Sequence, residues 1–142
     1  MMELLYKSIC EYENFIEMGN SALYEAYDLS IPPLKAKVNG IIPKSGELEV
    51  NNVRLSFWFH GMGCQFNFSG IIVDFDYTYK YFEYKGFDLW KLHNFILSVP
   101  EKYDSLKDKD IYDKSIKQLE LEGRIIKNAN DNLGSYDYEL VK

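Results

Sequence analysis

The sequence predicts an α+β fold in which helices cover an antiparallel sheet of about five strands. Residues 53–77 alternate apolar and polar side chains in three runs separated by glycines, a pattern typical of a three-stranded antiparallel meander. Residues 2–27 instead repeat apolar side chains at helical spacing, which predicts one long amphipathic helix. With 142 residues, 46% of them hydrophobic, the chain is expected to fold as a single domain over residues 1–142.

The other elements follow from local signals along the chain. The N-terminal helix should cover the inner face of the sheet, and Pro32-Pro33 exclude its continuation. Short strands around Lys37–Ile42 and Glu47–Val50 should precede the meander, with a turn between them. The remaining predicted elements are a helix capped by Asp88 and closed by Pro100, a helix over Ile111–Glu122 ended by Gly123, and a terminal hairpin of Arg124–Lys127 and Tyr136–Val141.

The hairpin registers of the meander decide which side chains share a face. An even-length loop after His60 pairs Phe59 with Phe66 and keeps one face of the sheet apolar. The dipeptide Ser69-Gly70 is a two-residue turn signal and pairs Phe66 with Val73. We therefore expect one apolar face, directed at the first helix, and one polar face.

Cys64 and His60 fall on opposite faces in this register. A Cys-His catalytic pair needs both side chains within hydrogen-bond reach, so the register disfavours such a pair. A β-bulge at Gly61 or Gly63 would bring them to the same face. We expect Cys64 to be a small, buried hydrophobic residue.

The polar face holds the candidate catalytic residues. The predicted register places His60, Gln65 and Asp74 in one lateral row, with His60 and Asp74 about 9.6 Å apart, so a ligand, a water or Gln65 would have to bridge them. Asp76 shares this face, and the aspartates would form an acidic patch or a weak metal site. Two carboxylates and one histidine are an incomplete ligand set, so no metal and no cofactor is expected. The simplest interpretation is a solvated sheet face.

Residues 77–87, which read YTYKYFEYKGF, alternate aromatic and charged side chains. Protein interfaces favour tyrosine and tryptophan, and this segment is therefore a candidate binding surface. Alternatively it is an edge strand or ordered loop whose rings cover the core. The candidate binding residues are Trp58, Tyr79, Tyr81, Tyr84 and Asp88.

Composition limits the classes of partner. The formal net charge is -6, from 16 basic and 22 acidic residues, which argues against nucleic acid and suits a basic protein partner. No apolar run reaches the length of a membrane span, and the N-terminus does not resemble a secretion signal. Cys10 and Cys64 fit no metal or redox spacing. These observations predict a cytoplasmic protein, and they leave its oligomeric state open.

Three short blocks stand out along the chain: His60-Gly61-Met62-Gly63-Cys64, then Asp74-Phe75-Asp76, then Gly86-Phe87-Asp88-Leu89-Trp90-Lys91-Leu92. Their succession, over about residues 40–98, resembles an uncharacterised bacterial family of small soluble proteins described as a domain of unknown function. The resemblance implies that the first block and the two aspartates mark the family's sheet, and it implies no catalytic role. Small acidic families of this kind also resemble, by class alone, the immunity proteins that bacteria keep against their own toxins.

Three functional hypotheses follow. The first, which we favour, is a protein-binding module of the immunity or antitoxin type that uses acidic charge and exposed aromatic rings to bind a basic toxin. The second is a small hydrolase or metal-dependent enzyme using His60, Asp74 and Asp76, with Gln65 orienting them. The third is a small-ligand sensor that binds on the polar sheet face beside Trp58.

Overall fold

A computed structural model describes residues 1–27, 45–50, 52–60, 63–76, 86–99, 101–127 and 138–141. It confirms the predicted α+β fold with a long N-terminal helix, two further helices and a C-terminal hairpin. In chain order the elements are α1 (Met2–Tyr27), β1 (Ser45–Val50), β2 (Val53–His60), β3 (Gly63–Phe68), β4 (Ile71–Asp76), α2 (Leu89–Ser98), a 3-10 helix (Asp104–Lys107), α3 (Lys109–Leu121), β5 (Ile125–Lys127) and β6 (Tyr138–Leu140).

The main sheet has four described strands in the order β1-β2-β3-β4, all antiparallel. The prediction of about five strands differs from this sheet, and the candidate strand Lys37–Ile42 lies outside the described residues. The second candidate, Glu47–Val50, is confirmed as part of β1. β5 and β6 form a separate antiparallel pair, as the predicted terminal hairpin requires.

The register between β2 and β3 differs from the prediction by two residues. Phe66 pairs with Phe57, not with Phe59, and Phe59 pairs with Cys64. Pairing continues to His60 and Gly63, so only two residues separate the paired positions. Short hairpin connections suit the right-handed twist of paired strands, which favours this register over a longer loop. A shift of two keeps every side chain on its predicted face.

The turn between β3 and β4 matches its prediction. Phe66 pairs with Val73. Ser69 and Gly70 have φ angles of 54° and 91°, and positive values at both central positions are typical of a type I′ hairpin turn. The Gly70 amide also donates to Asn67 Oδ1 at 2.9 Å, which fixes the turn from the strand before it.

The core lies between α1 and the inner face of the sheet. Rings from the helix meet rings from the sheet, with the centroids of Phe15 and Phe68 4.9 Å apart. α2 packs against the same helix, with the Tyr12 and Phe95 ring centroids 5.4 Å apart. The fully buried or nearly fully buried residues of α1 and the inner sheet face are Leu5, Ile9, Tyr12, Ile16, Leu55, Phe57, Cys64, Phe66, Phe68 and Val73.

Both later helices begin at aspartate caps. The carboxylate of Asp88 accepts hydrogen bonds from the amides of Trp90 and Lys91, which satisfies the free amides of the first turn of α2. Asp108 caps α3 in the same way, so this helix begins at Lys109 and not at the predicted Ile111.

The end of α3 confirms the role predicted for Gly123. Its φ is 72°, and its amide donates to the carbonyl of Glu120 while the Arg124 amide donates to that of Leu119. Two such bonds define a Schellman ending, which favours glycine at the left-handed position. The chain then enters β5 directly.

Candidate binding face

The side of the sheet away from α1 is the candidate functional surface, and we call it the outward face. Strand alternation directs one set of side chains into the core and the other set to this face. Its positions are Ser45, Glu47 and Glu49 of β1, Arg54, Ser56, Trp58 and His60 of β2, Gly63, Gln65 and Asn67 of β3, and Ile72, Asp74 and Asp76 of β4.

The observed register changes which residues are neighbours on this face. Trp58 lies opposite Gln65, and Gln65 lies opposite Asp74. The predicted lateral row His60–Gln65–Asp74 is therefore wrong, because the connection after His60 is shorter than expected. His60 instead occupies a row with Gly63 and Asp76. The structure places Trp58, not His60, in the row of Gln65 and Asp74.

Trp58 is the exposed aromatic ring of the outward face. Its side chain is 46% exposed, although it lies near the middle of β2. On the same face, Ser45 lies directly opposite on β1, Gln65 lies directly opposite on β3, and Ser56 lies two residues earlier on β2.

Acidic residues predominate on the outward face. Among the described positions of this face are Glu47, Glu49 and Asp74, with Asp76 at the next outward position of β4, and one arginine, Arg54. The Arg54 guanidinium lies 3.7 Å from the Glu47 carboxylate, and both side chains are mostly exposed. Exposed pairs of this kind contribute little, about 0 to 1 kcal/mol, so Glu47 remains able to exchange its partner.

The sequence predicts β1 as a strand, but its outward glutamates were not among the candidate residues. Residues 45–50 read SGELEV, and the alternation places both glutamates on the same side. Combined with the alternation of β2, this pattern would have added Glu47, Glu49 and Arg54 to the candidate surface. These residues were not predicted, because the candidate catalytic groups all lie within the meander.

Cys64 is fully buried on the inner face, as predicted. Burial raises the pKa of its thiol far above the ordinary value, which keeps the sulfur protonated and unreactive at neutral pH. His60 occupies an outward position in β2. The strands therefore do not present these residues as a Cys-His pair.

The other predicted binding residues have different outcomes. Asp88 acts as the cap of α2, where its carboxylate is 2.8 Å from the Trp90 amide nitrogen. This capping role accounts for an aspartate at position 88 and requires no binding partner. Tyr79, Tyr81 and Tyr84 lie outside the described residues.

Helices occupy the β4 side of the sheet. The Ile72 amide donates to Ser98 Oγ of α2 at 3.0 Å, and the Tyr12 hydroxyl of α1 donates to the Asp74 carbonyl oxygen. These side chains satisfy backbone groups that β4, the last strand in the described order, directs away from β3. These hydrogen bonds reduce the tendency of the sheet edge to pair with a strand of another chain.

Among the described residues, no three His, Cys, Asp or Glu side chains are grouped so as to hold a metal ion. None of the helices within those residues combines the length and the hydrophobicity needed to span a bilayer.

The fold and this surface define a small α+β protein with an acidic, tryptophan-bearing sheet face. The chain belongs to the DUF6896 family, described as a domain of unknown function, whose model matches residues 5–139. This finding confirms the resemblance to an uncharacterised domain family and extends it well beyond residues 40–98. No curated protein and no solved structure gives a significant match to the chain.

Proposed function

We propose that this chain is a protein-binding module that docks a basic partner protein on its outward face, as a bacterial immunity protein docks the toxin it neutralises. The observation that carries the proposal is the exposed ring of Trp58 among the carboxylates of β1 and β4. Tryptophan is the residue type most enriched at the centres of protein interfaces. Carboxylates around it favour a positively charged partner and speed its encounter.

The same charge argues against phosphate-bearing ligands. A nucleic-acid site needs a basic patch, and the outward face carries acidic positions on β1 and β4. The hydrolase hypothesis uses His60, Asp74 and Asp76 with Gln65 orienting them, and the register separates His60 from the row of Gln65 and Asp74 while it keeps His60 in one row with Asp76. We favour the binding hypothesis because it needs acidic charge and an exposed ring, and no convergence of these catalytic groups.

The test titrates isotope-labelled protein with octa-lysine at low ionic strength and follows the backbone amide signals by NMR. We expect the shifted amides to cluster on β1–β4. The triple substitution Glu47→Gln, Glu49→Gln and Asp74→Asn should weaken binding about tenfold, since each exposed charge pair contributes a few tenths to 1 kcal/mol. Higher salt should weaken binding to the unaltered protein, because it screens exposed charges.

A matched control removes three charges elsewhere. Glu17, Glu122 and Glu139 are exposed on α1, at the end of α3 and on β6, and their replacement by glutamine removes the same number of negative charges. We expect this variant to bind octa-lysine within about twofold of the unaltered protein, because distant exposed charges are largely screened. Equal weakening by both triple variants, or shifts scattered over the helices, would contradict docking on the outward face.

A further inference from the structure

We propose that the partner binds as an extended basic strand added antiparallel to the outer edge of β1, with its basic side chains opposite Glu47 and Glu49. This inference rests on the proposed function and specifies how the partner docks. It follows from the hydrogen-bonding alternation of β1, from the difference between the two edges of the sheet, and from the charge of the edge strand.

The backbone of β1 directs alternate peptide groups away from the sheet. Pairing between β1 and β2 continues to Val50 and Val53, and two residues separate these positions. The turn that closes such a hairpin bonds its flanking residues, so Val50 and Val53 form a hydrogen-bonded pair. Hydrogen-bonded and non-hydrogen-bonded pairs alternate along an antiparallel ladder. The N–H and C=O groups of Ser45, Glu47 and Glu49 therefore point to the outer edge of β1.

The two edges of the sheet differ in how these outer groups are bonded. On β4 the Ile72 amide donates to Ser98 Oγ at 3.0 Å, and the Asp74 carbonyl oxygen accepts from the Tyr12 hydroxyl. β1 is the other terminal strand of the described order. Within the described ranges, no backbone hydrogen bond reaches its outer groups, and the residues that carry them are exposed. An open strand edge is a template for pairing with another chain.

Charge selects a basic strand as the occupant of this edge. Glu47 and Glu49 are exposed on the outward face, and an antiparallel strand would place one side chain directly opposite each, with Cβ atoms about 4.5 to 5.5 Å apart. Opposite charges stabilise such a cross-strand pair, and like charges destabilise it. Two copies of β1 paired about Leu48 would place Glu47 of one copy opposite Glu49 of the other. The edge therefore disfavours a second copy and favours lysine or arginine.

The inner side of β1 sets the residues between the basic ones. Leu48 is half-buried and packs against the core, and α1 contacts β1 on this side. A strand added beside β1 would present every second side chain to the same side, where apolar β-branched residues suit a half-buried sheet position. The recognised segment therefore alternates basic and apolar residues. Main-chain hydrogen bonds give such strand addition its affinity, and the alternate side chains give it specificity.

The experiment uses an acetylated and amidated heptapeptide in which lysine and valine alternate, with lysine at both ends. A residue opposite Glu47 in an antiparallel pair exchanges both hydrogen bonds with it, so the lysine N–H groups face β1 and the valine N–H groups face away. Methylation of the backbone nitrogens of the two central lysines should weaken binding about tenfold, because each methyl removes a hydrogen bond. Methylation of two valine nitrogens should change the affinity by less than about twofold. Calorimetry at low ionic strength measures both.

Hydrogen exchange locates the added strand on the protein. In the free protein the Glu47 and Glu49 amides should exchange fast, whereas the Leu48 amide, which faces β2, should exchange slowly. Saturating alternating peptide should slow the first two about tenfold and leave Leu48 unchanged. Slow exchange of Glu47 and Glu49 without peptide would overturn the proposal. Dependence of that protection on protein concentration would assign the edge to a second copy, and independence would assign it to the chain itself.

Two substitutions at one position separate the edge hydrogen bond from the charge. Glu47→Pro and Glu47→Gln remove the same carboxylate, but only proline removes the outward N–H. Edge strands tolerate proline where the N–H faces away from the sheet, so Glu47→Pro should retain the fold. We expect Glu47→Pro to bind the alternating peptide about tenfold more weakly than Glu47→Gln, and the two variants to bind octa-lysine alike. Equal binding of the alternating peptide by both variants would overturn strand addition.

The outcomes distinguish this inference from the proposed function. A control peptide of the same composition places four lysines before three valines, and it should bind more weakly than the alternating peptide because it cannot keep its basic side chains on one face. Equal binding of the two peptides, insensitive to backbone methylation but dependent on the outward carboxylates, would overturn strand addition and leave the docking face intact. Failure of these peptides and of octa-lysine to bind at low ionic strength would overturn the docking face itself.

Discussion

At the scale of single residues, Gly19 shows how closely α1 approaches the sheet. A β-carbon at this position would lie 2.4 Å from Cε2 of Phe66 and 2.6 Å from its Cδ2 and Cζ atoms. Phe66 is fully buried, so its ring has little space into which to withdraw. Glycine inside a helix costs about 1 kcal/mol relative to alanine, yet the packing here requires it.

We expect Gly19→Ala to lower the free energy of unfolding by about 1 kcal/mol, because overpacking costs about 1 to 3 kcal/mol and exceeds the gain in helix propensity. Urea denaturation measures the change. Asn14→Ala, at an exposed position of α1, is the matched control and should be neutral or slightly stabilising. Phe66→Leu combined with Gly19→Ala should cost less than the sum of the two. An unchanged midpoint for Gly19→Ala would contradict the close approach.

Cys64 makes a second prediction at this scale. Its burial and raised pKa keep the sulfur inaccessible and protonated, so labelling by a thiol reagent should be slow in native protein and fast only in denaturant. The measurement uses a Cys10→Ser background, which leaves one thiol in the chain. Fast native labelling that His60→Ala abolishes would mean that the two residues meet, and it would restore the catalytic hypothesis.

At the scale of elements, strand faces were predictable and strand neighbours were not. Because side chains alternate along β2 and β3, any even-length loop between the two strands assigns Cys64 to the core face. The identity of cross-strand neighbours depends on the loop itself, and alternation does not distinguish two residues from four. For this reason the sequence placed Trp58 and Gln65 on the correct face but not in the correct row.

Helix boundaries were predictable where they depend on adjacent residues, and they were not predictable where they depend on tertiary packing. Asp88 was recognisable as a cap because capping involves only the adjacent turn. Residues 101–110 lie between the two predicted helices and are rich in charged side chains, yet they contain a 3-10 helix and the Asp108 cap. Buried Leu106 and Tyr103 anchor this segment to the core, a tertiary effect that the charged composition concealed.

The protection of β4 by the helices leads to a prediction for that element. Ser98→Ala removes the acceptor of the Ile72 amide, and Tyr12→Phe removes the donor to the Asp74 carbonyl. Each loss should cost about 1 to 2 kcal/mol, because a partly buried backbone group loses its partner.

Hydrogen exchange provides the specific readout for this edge. The Ile72 amide should exchange faster in Ser98→Ala than in the unaltered protein. The Val73 amide is the internal control, since Val73 belongs to the same strand but is a buried core position. Unchanged protection of Ile72 would show that Ser98 does not hold the strand edge.

At the scale of the whole molecule, an ion pair joins the start of α1 to the residue that precedes β5. The Arg124 guanidinium donates to the carboxylate of Glu3, with its Nη2 atom 3.4 Å from Oε1, and it lies 4.2 Å from the centroid of the Tyr6 ring. The C-terminal hairpin is thereby attached to the first turns of α1. Its hydrogen bond with Arg124 holds the pKa of Glu3 below the ordinary value.

This ion pair should make the free energy of unfolding fall as the pH is lowered. Because the pKa of Glu3 is lower in the folded state, its contribution is present above the ordinary glutamate pKa and is lost as the pH falls through the folded value. Arg124→Gln should return the pKa of Glu3 towards normal and remove that part of the acid dependence, as carbon-detected NMR titration and unfolding at several pH values would show. Arg124→Lys retains the charge but lacks a planar guanidinium over Tyr6, so it should recover only part of the shift. If the Glu3 titration is the same with arginine and glutamine at position 124, the pair does not form in solution, and the attachment of the hairpin must depend on its bridge to Phe87 and its buried residues Ile125 and Tyr138.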